Sequence, residues 1–446
     1  MKKTTTIHVL IVTLILLGNS LFAQKDSIKI NTIGINSPYS YKMLDQNQNL
    51  RKINILLNEK RKGSISNNKI IVSTSLITLL DYQNSNTDSK FGYLMRHPTA
   101  NNQIGKEVSE AVIHSFQLSL TASINNWITT YAELLYNPQQ SFGEGTITAL
   151  NRNQVQLRRA YVIFGDLNES PFYGAIGKMD APFGQMGSVN PFTNSTMWHA
   201  FGGLSYGAQI GYTKGGLHIK LMAAQGGAQF RAMHVPVGDG TSVPSKLNNF
   251  VADINYTFNM YDKADLKLGT SYLKGSAYCQ GFPVFHFTPC EKHNPAYTFY
   301  STLNIGNSFT AMASFAKTVH EWEGTFNPNP PLNVFEASKV SSLSVGAKYD
   351  LNNANKIKHT ISGEFSNFVA GPEGAPWERQ NQYVLGYQAL LNNSAKLFVE
   401  IFRTEGYVPL NFISGSADND PFPPGVTHSE RDANSMGIVL GAQISF

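Results

Sequence analysis

Several residue types that act in hydrolysis are present, but their spacing does not match a catalytic site. A hydrolase needs a nucleophile, a base and an orienting group brought together at one place. Serines and aspartates are scattered between the strand-like runs, and so are seven histidines: His97, His199, His234, His286, His293, His320 and His428. No spacing marks a catalytic triad, a Gly-rich phosphate loop or a metal-ligand cluster. The sequence therefore predicts a protein that is not an enzyme and has neither cofactor nor metal.

The two cysteines, Cys279 and Cys290, are the second group with possible chemistry. They are separated by ten residues, and in an exported protein they are expected to form one disulfide across a loop. The alternative is a metal site shared with His286 and His293. Its spacing fits no established zinc pattern, so the disulfide is the preferred interpretation.

The stretch GKMDAPFGQMGSVNPFTNSTMWHAFGG, residues 177–203, is rich in Gly, Pro, Asn and aromatic residues. It lies between two strand-like runs and shows neither helical nor alternating periodicity. A connection of this length without regular structure is uncommon in a compact domain and usually marks a functional segment or disorder. The elements on either side of it must therefore be identified.

From residue 69 onward, apolar residues alternate with polar or small residues. The last segment, SMGIVLGAQISF, shows this most clearly. One face carries Met436, Ile438, Leu440, Ala442, Ile444 and Phe446, and the other carries Gly437, Val439, Gly441, Gln443 and Ser445. A period of two residues indicates β-strands with one apolar face. Soluble sandwiches alternate in the same way, so the pattern alone does not separate them from a membrane barrel.

The connections favour a barrel. Sixteen strand segments are predicted, at 69–82, 112–124, 126–137, 152–165, 172–179, 205–213, 216–225, 248–258, 264–274, 296–305, 308–318, 338–350, 356–366, 381–392, 395–404 and 433–446. Links after even-numbered strands are short, and links after odd-numbered strands are long. A sheet that spans lipid must close without a free edge, with lipid-facing and lumen-facing residues alternating. The predicted fold is therefore all-β, a transmembrane antiparallel β-barrel of 16 strands over residues 69–446.

The residues before the barrel divide into two parts. Residues 1–23 have a basic start, an apolar centre and Ala23 before a polar run, which predicts a secretory signal peptide. Residues 24–68 are predicted to form a polar periplasmic extension with a short helix, because Met43, Leu50, Ile53 and Leu57 lie near heptad spacing. Self-association, an ordinary amphipathic helix and a flexible linker all remain open for this part.

The charge pattern argues against nucleic-acid binding and describes the expected lumen. Lys and Arg number 35 against 30 acidic residues, which gives a net charge of +5, or +3 without Lys2 and Lys3. The polar strand faces would place nine charged residues on the lumen wall: Lys178, Lys220, Lys267, Lys348, Lys358, Glu133, Asp253, Glu364 and Glu400. The excess of one positive charge predicts a mild preference for anions.

The fourth predicted strand contains adjacent arginines that conflict with simple alternation. If Ala160 and Val162 face lipid, Arg158 shares their face; if Tyr161 and Ile163 do, Arg159 shares theirs. An arginine at mid-membrane on the lipid face costs several kcal/mol. A bulge, a position near the membrane interface or a contact with another subunit would each resolve the conflict.

The whole pattern resembles Gram-negative outer-membrane porins of 16 strands. FYGAIGKMDAPFG, residues 172–184, resembles a Gly-Lys-x-x-x-Pro-Phe-Gly stretch of phosphate-selective-type and siderophore-type porins, and the terminal Phe446 resembles their assembly signal. The resemblance implies a homotrimer and a loop between strands five and six, residues 180–204, that folds into the lumen as a constriction. The candidate constriction residues are then Asp180, Asn190, Asn194, Thr196, Trp198 and His199. An external loop over the mouth is the alternative.

The resulting hypothesis is passive diffusion of small hydrophilic solutes or ions across the outer membrane of a Gram-negative cell. The expected partners are membrane lipid, the permeating solutes and further copies of the chain. A ligand-specific receptor, for example for a siderophore, or a surface-binding barrel is the alternative function. Residues 24–68 are too short for a large plug domain, which argues against an energy-coupled transporter.

Overall fold

The described part of the chain consists mainly of sixteen long β-strands. The computed structural model describes residues 33–86, 106–137, 155–225, 246–260, 263–279, 292–351, 357–407 and 430–446. The strands are β1 (Lys69–Ser85), β2 (Glu107–Ser123), β3 (Ile128–Tyr136), β4 (Val155–Phe164), β5 (Phe172–Asp180), β6 (Leu204–Lys214), β7 (Leu217–Ala224), β8 (Asn249–Asn259), β9 (Ala264–Leu273), β10 (Ala296–Ile305), β11 (Phe309–Thr318), β12 (Ser341–Leu351), β13 (Ile357–Val369), β14 (Arg379–Leu391), β15 (Ala395–Tyr407) and β16 (Glu430–Ser445).

The strands close into a barrel. Each strand pairs antiparallel with the next one along the chain, and β16 returns to pair with β1, from Ser435 opposite Ser85 to Ser445 opposite Ser75. The sheet therefore has no free edge strand. The predicted 16-stranded antiparallel barrel is confirmed, and each predicted segment overlaps one observed strand.

The connections alternate in length as the sequence predicts. The links 124–127, 165–171, 215–216, 260–263, 306–308, 352–356 and 392–394 are short. The links 86–106, 137–154, 181–203, 225–248, 274–295, 319–340, 370–378 and 408–429 are long. In an antiparallel barrel, successive links lie at opposite ends, so all short links share one end and all long links share the other.

The two faces of the barrel differ in polarity. On β16, Leu440 and Ile444 are exposed on the outer face, whereas Gln443 and Ser445 are buried on the inner face. Leu80, Ile176 and Ile210 are exposed in the same way on other strands. An apolar outer surface and a polar inner surface are what a lipid-spanning barrel requires.

A bulge in β4 resolves the conflict between the adjacent arginines. Glu133 of β3 pairs with Arg159, and the next residue of β3, Leu134, pairs with Leu157, so Arg158 is an extra residue in β4. Arg158 and Arg159 are both buried on the inner side, while Leu157 stays exposed on the outer side. Of the three explanations open from the sequence, the bulge is the correct one.

Two helices and a 3₁₀ turn precede the barrel. These are α1 (Ser37–Leu44), a 3₁₀ helix (Gln46–Arg51) and α2 (Lys52–Arg61), and a two-residue strand, Ile33–Gly34, lies before them. The side chain of Asn36 caps α1 by accepting a hydrogen bond from the Tyr39 amide at 3.1 Å, and the side chain of Asp45 accepts one from the Asn47 amide at 2.9 Å. Among the described residues, no helix combines the length and the apolar character needed to cross a membrane.

This N-terminal segment, residues 36–61, lies inside the barrel. The Tyr39 hydroxyl is 2.7 Å from that of Thr121, and the Ser40 hydroxyl is 2.7 Å from that of Ser73; both partners are inward-facing strand residues. The expectation of a periplasmic extension is therefore corrected for residues 36–61. An amphipathic helix fits a water-facing surface and a barrel wall equally well, so its sequence does not distinguish the two. Residues 1–32, including the predicted signal peptide, lie outside the described residues.

Candidate functional site

The link between β5 and β6, here called the lumen loop (residues 181–203), crosses the inside of the barrel. It contains the short helix α3 (Thr196–Phe201). The Gly184 amide donates a hydrogen bond to Ser271 of β9 at 2.9 Å, and the Phe192 amide donates one to Glu400 of β15 at 2.6 Å. The loop therefore lies in the lumen and contacts the wall opposite its own strands. The alternative of an external loop over the mouth does not apply.

Two buried carboxylates hold the loop against the far wall. Glu400 accepts hydrogen bonds from the amides of Phe192 and Thr193 and from the Thr193 hydroxyl. Glu364 accepts hydrogen bonds from the Ser188 hydroxyl at 2.8 Å and the Val189 amide at 3.1 Å. These two wall residues therefore position the loop and do not face open solvent.

Apolar contacts accompany these hydrogen bonds. The ring of Phe192 stacks on that of Phe398 at a centroid distance of 5.4 Å and meets His114 edge-on at 4.9 Å. Gly386 allows the loop to come close to β14, because a Cβ atom there would lie 2.6 Å from Cδ of Pro191. The loop is thus fitted to this part of the wall by shape as well as by charge.

The six candidate constriction residues fall into two groups. Asp180, Asn190 and Trp198 line a cavity beside the loop. Asn194, Thr196 and His199 are buried. The Asn194 carbonyl accepts a hydrogen bond from Gln382 at 2.9 Å, and the Thr196 amide donates one to Ser366 at 3.1 Å. Asn190 is also buried, at 2% exposure, so Asp180 and Trp198 are the candidates with side chains open to the cavity.

The cavity has a volume of about 550 Å³ and lies between the N-terminal segment, the lumen loop and strands β7 to β15. It extends to Asp265, Asn304 and Asp350, which lie near the short links. Its charged lining comprises six basic residues, Arg51, Lys220, Lys267, Lys348, Lys358 and Lys396, and five acidic ones, Asp45, Asp180, Asp253, Asp265 and Asp350. The cavity is therefore polar, with a small excess of positive charge.

The nine predicted wall residues divide into those that line the cavity and those that do not. Lys220, Lys267, Lys348, Lys358 and Asp253 line the cavity. Glu133, Glu364, Glu400 and Lys178 are engaged elsewhere; Lys178, for example, donates a hydrogen bond to the Leu157 carbonyl at 2.9 Å. Lys396 and Asp350 also line the cavity and were not predicted to do so, although both occupy inward positions of predicted strands. Arg51 and Asp45 could not be found by strand alternation because they lie on the N-terminal segment.

One part of the cavity wall is organised around Asp253 of β8. Its carboxylate accepts hydrogen bonds from the Tyr300 hydroxyl at 2.7 Å and the Ser271 hydroxyl at 2.6 Å. The Lys267 ammonium lies 5.8 Å from the centre of the Tyr300 ring. Lys220 donates a hydrogen bond to the Leu50 carbonyl of the N-terminal segment at 3.2 Å. The basic side chains are thus held in place by neighbours.

A chain of four charged side chains, three of them buried, joins the N-terminal segment, the wall and the start of the lumen loop. Lys52 is 2.5 Å from Glu133, Glu133 is 2.7 Å from Arg159, and Arg159 is 2.5 Å from Asp180. Burial, which outweighs the attraction of Glu133, lowers the pKa of Lys52 to about 8. Glu133 and Asp180 were predictable as lumen residues from the sequence, but their partners were not, because these depend on the β4 bulge and on the position of α2.

On the side of the long links, an aromatic cluster covers the lumen loop. The rings of Phe201 and Tyr278 are 5.6 Å apart, and those of Tyr278 and Trp322 are 5.1 Å apart. The Tyr278 hydroxyl donates a hydrogen bond to the Ala200 carbonyl at 2.6 Å. Phe201 therefore anchors the loop through apolar burial, whereas Trp198 lines the cavity.

The metal and disulfide hypotheses depend partly on residues outside the described ranges. Cys290 and His286 fall there, so the disulfide with Cys279 stays a prediction. Within the described part of the chain, no group of three His, Cys, Asp or Glu side chains could hold a metal ion.

Comparisons with known proteins give the following. No family model matches the chain. A UPF0422 protein of Coxiella burnetii is 27% identical over 171 residues, which is 37% of this chain and 32% of that protein. The matched part thus spans about a third of the length of that relative.

Three solved structures are similar to this chain. An anion-selective porin from Comamonas acidovorans has a TM-score of 0.49 at 11% identity and covers 85% of this chain and 99% of its own. The outer-membrane channel DcaP of Acinetobacter baumannii has a TM-score of 0.48 at 12% identity, with 85% and 97% coverage. OprB of Pseudomonas putida has a TM-score of 0.49 at 10% identity, with 84% and 94% coverage. The barrel itself is established by the strand pairing of this chain.

Proposed function

We propose that this protein is an outer-membrane channel through which small hydrophilic solutes or ions diffuse passively, with the lumen loop as its constriction. The observation that carries the proposal is a closed barrel with an apolar outer face and a loop fixed across its lumen by Glu364 and Glu400. A polar cavity of about 550 Å³ remains beside that loop. A polar cavity beside a fixed loop suits diffusion, whereas catalysis would need a nucleophile and a base in contact.

The proposal also covers the export of the chain, its partners, its assembly and its ion preference. Residues 1–23 are a signal peptide that directs the chain to the outer membrane of a Gram-negative cell, and residues 69–446 form the barrel. The partners are membrane lipid and permeating solutes, and the barrel assembles as a homotrimer. The cavity lining carries six basic and five acidic residues, which supports a mild preference for anions.

A ligand-specific receptor is the second candidate function, and one observation favours it. The N-terminal segment fills part of the lumen, and the aromatic cluster of Tyr278 and Trp322 covers the loop on the side of the long links. In a receptor these elements would open only when a particular ligand binds.

Liposome swelling separates the two functions. Purified protein that is shown to be folded is placed in liposomes, and the rate of swelling is measured with neutral sugars of increasing size. A diffusion channel admits small sugars at a rate that falls steeply with solute size. A receptor that is closed without its ligand gives no swelling with any sugar, and that result would contradict the proposal.

A further inference from the structure

The N-terminal segment is seated on a part of the barrel wall that differs from the rest. The inner face of a water-filled barrel is normally polar. Here the inner faces of β1, β3, β4 and β5 carry buried apolar or aromatic residues: Ile71, Tyr131, Tyr161, Ile163 and Tyr173. Met43, Ile53, Leu56 and Leu57 of the N-terminal segment are buried in the same cluster. The wall is therefore built to receive the two helices.

Polar contacts fix the orientation of the segment on this surface. Asn54 accepts a hydrogen bond from the Tyr173 hydroxyl at 3.3 Å. Lys60 donates hydrogen bonds to the carbonyls of Asn125 and Asn126 in a short link, at 2.6 and 2.9 Å. Lys52 enters the charge chain through Glu133. Together with the pairs Tyr39–Thr121 and Ser40–Ser73, these contacts extend along both helices.

The 3₁₀ turn carries the segment to the cavity and to the lumen loop. The Asn47 side chain accepts a hydrogen bond from the Ser188 amide and donates one to the Asn190 carbonyl, both at 3.3 Å. Arg51 lines the cavity, and its charge acts on Lys220 of β7 and Lys267 of β9. The negative charge of Asp253 attracts Lys220 and Lys267, and the negative charge of Asp45, on the segment itself, attracts Arg51. Arg51 thus lies near these lysines, since Lys220 donates a hydrogen bond to the carbonyl of Leu50, the residue before Arg51.

We propose that the N-terminal segment is a permanent inner lining of the channel and that Arg51 is a specificity-determining residue for the charge of the permeating ion. This inference rests on the proposed channel function. The segment is then part of the pore wall and contributes a charge that the barrel strands do not supply. The segment stays bound to the barrel wall during permeation.

Charge reversal of Arg51 tests the selectivity role. Replacing a positive by a negative charge about 10 Å from a permeating ion in water changes the permeability of each ion about fourfold, in opposite directions for anion and cation. The anion-to-cation permeability ratio therefore changes about 16-fold before screening by salt. Arg51→Glu is therefore expected to shift the reversal potential in a KCl gradient toward cation selectivity, most clearly at low ionic strength. Arg61→Glu is the matched control, because Arg61 is exposed at the end of α2 and does not line the cavity. An unchanged reversal potential in Arg51→Glu would overturn the role of Arg51.

A cross-link tests whether the lining is permanent. In the double variant Ser40→Cys, Ser73→Cys, the two positions are close enough in space to form a disulfide, which peptide mass mapping identifies separately from the native cysteines. The oxidised and reduced forms are expected to conduct equally and with the same selectivity. A rise in conductance on reduction that the wild type does not show with the same reductant would show that the segment is a gate and would overturn the proposal. Failure of the cross-link to form in the folded barrel would show that the segment is not seated there.

The same variants separate failure of this inference from failure of the proposed function. If the cross-link forms but neither the wild type nor any variant conducts, the channel function is contradicted, and the selectivity role of Arg51 with it. If the wild type conducts and Arg51→Glu keeps its selectivity, the channel function stands and only the inference fails.

Discussion

Glu400 is the residue on which the position of the lumen loop depends most. Its carboxylate accepts hydrogen bonds from two consecutive loop amides and one hydroxyl, and it is fully buried. A neutral amide at this position would keep the shape but lose the charge that strengthens these hydrogen bonds.

We therefore expect Glu400→Gln to loosen the lumen loop. Hydrogen bonds to a charged group contribute about 1.5–3 kcal/mol to stability. Amide hydrogen exchange of peptides from residues 181–203 should become faster in this variant. Glu405→Gln is the control, because Glu405 lies on the same strand with a 38% exposed side chain and pairs with Arg403. Equal exchange in the two variants would contradict the anchoring role of Glu400.

Lys52 makes the binding of the N-terminal segment to the barrel wall dependent on pH. It faces Glu133 and Tyr131 of β3, Arg159 of β4 and Asp180 of β5. Burial lowers the pKa of Lys52 from 10.5 to about 8 in the seated state. Between pH 8 and 10.5, a released segment would bind more protons than the seated one, so seating becomes more favourable as the pH rises through this window.

The expected result is stronger protection of residues 37–61 from hydrogen exchange at pH 10 than at pH 8, after correction for the intrinsic exchange rate. The Lys52→Met variant removes the titrating group and should show no such change. Weaker protection of the wild type at pH 10 would contradict the assigned direction of the pKa shift.

At the scale of the elements, the bulge in β4 determines which arginines enter the lumen. Arg158 is the extra residue, and removing it restores regular alternation: Leu157 stays outside and Arg159 stays inside. Removing Ala160 instead leaves the bulge in place and reverses the facing of every residue on one side of the deletion, because side chains alternate with a period of two.

We expect the Arg158 deletion to fold and the Ala160 deletion to fold poorly. An arginine turned to lipid near the bilayer midplane costs about 2–4 kcal/mol. Migration of unheated and heated samples on a gel measures the folded fraction of each variant. A loss of folding in the Arg158 deletion equal to that in the Ala160 deletion would show that the bulge has a further structural role.

The same elements show which features the sequence can predict. The sixteen strands were predictable because a wall between lipid and a polar lumen forces apolar and polar residues to alternate at every strand. The bulge was not, since one inserted residue leaves the apolar pattern ambiguous over the few positions around Arg158 and Arg159. The position of the lumen loop was implied by resemblance to porins, but the roles of Glu364 and Glu400 required knowledge of which loop amides face them.

At the scale of the whole molecule, the N-terminal segment was the main departure from expectation. Its apolar spacing predicted a helix, and Met43, Ile53 and Leu57 are indeed buried in helical elements. The surface that covers them, however, is formed by residues such as Tyr131 and Tyr161, which lie far along the chain. Inward-facing tyrosines on neighbouring strands are the sequence signal that would have indicated an occupied lumen.

In the described part of the chain, the barrel, the lumen loop and the N-terminal segment together border a polar cavity of about 550 Å³. The lumen loop limits it on one side, and Arg51 and Asp45 of the segment limit it on another. Small solutes are therefore expected to pass with modest charge preference, since basic and acidic residues are nearly balanced around the space.

Single-channel recording of the purified, folded protein in a planar bilayer tests the central claim most directly. A passive channel with a fixed lumen loop predicts stable, stepwise openings and, under a salt gradient, a reversal potential of the sign for mild anion preference. A barrel that is shown to be folded by its gel migration and yet conducts no ions would contradict the channel function and favour a receptor that opens only with its ligand.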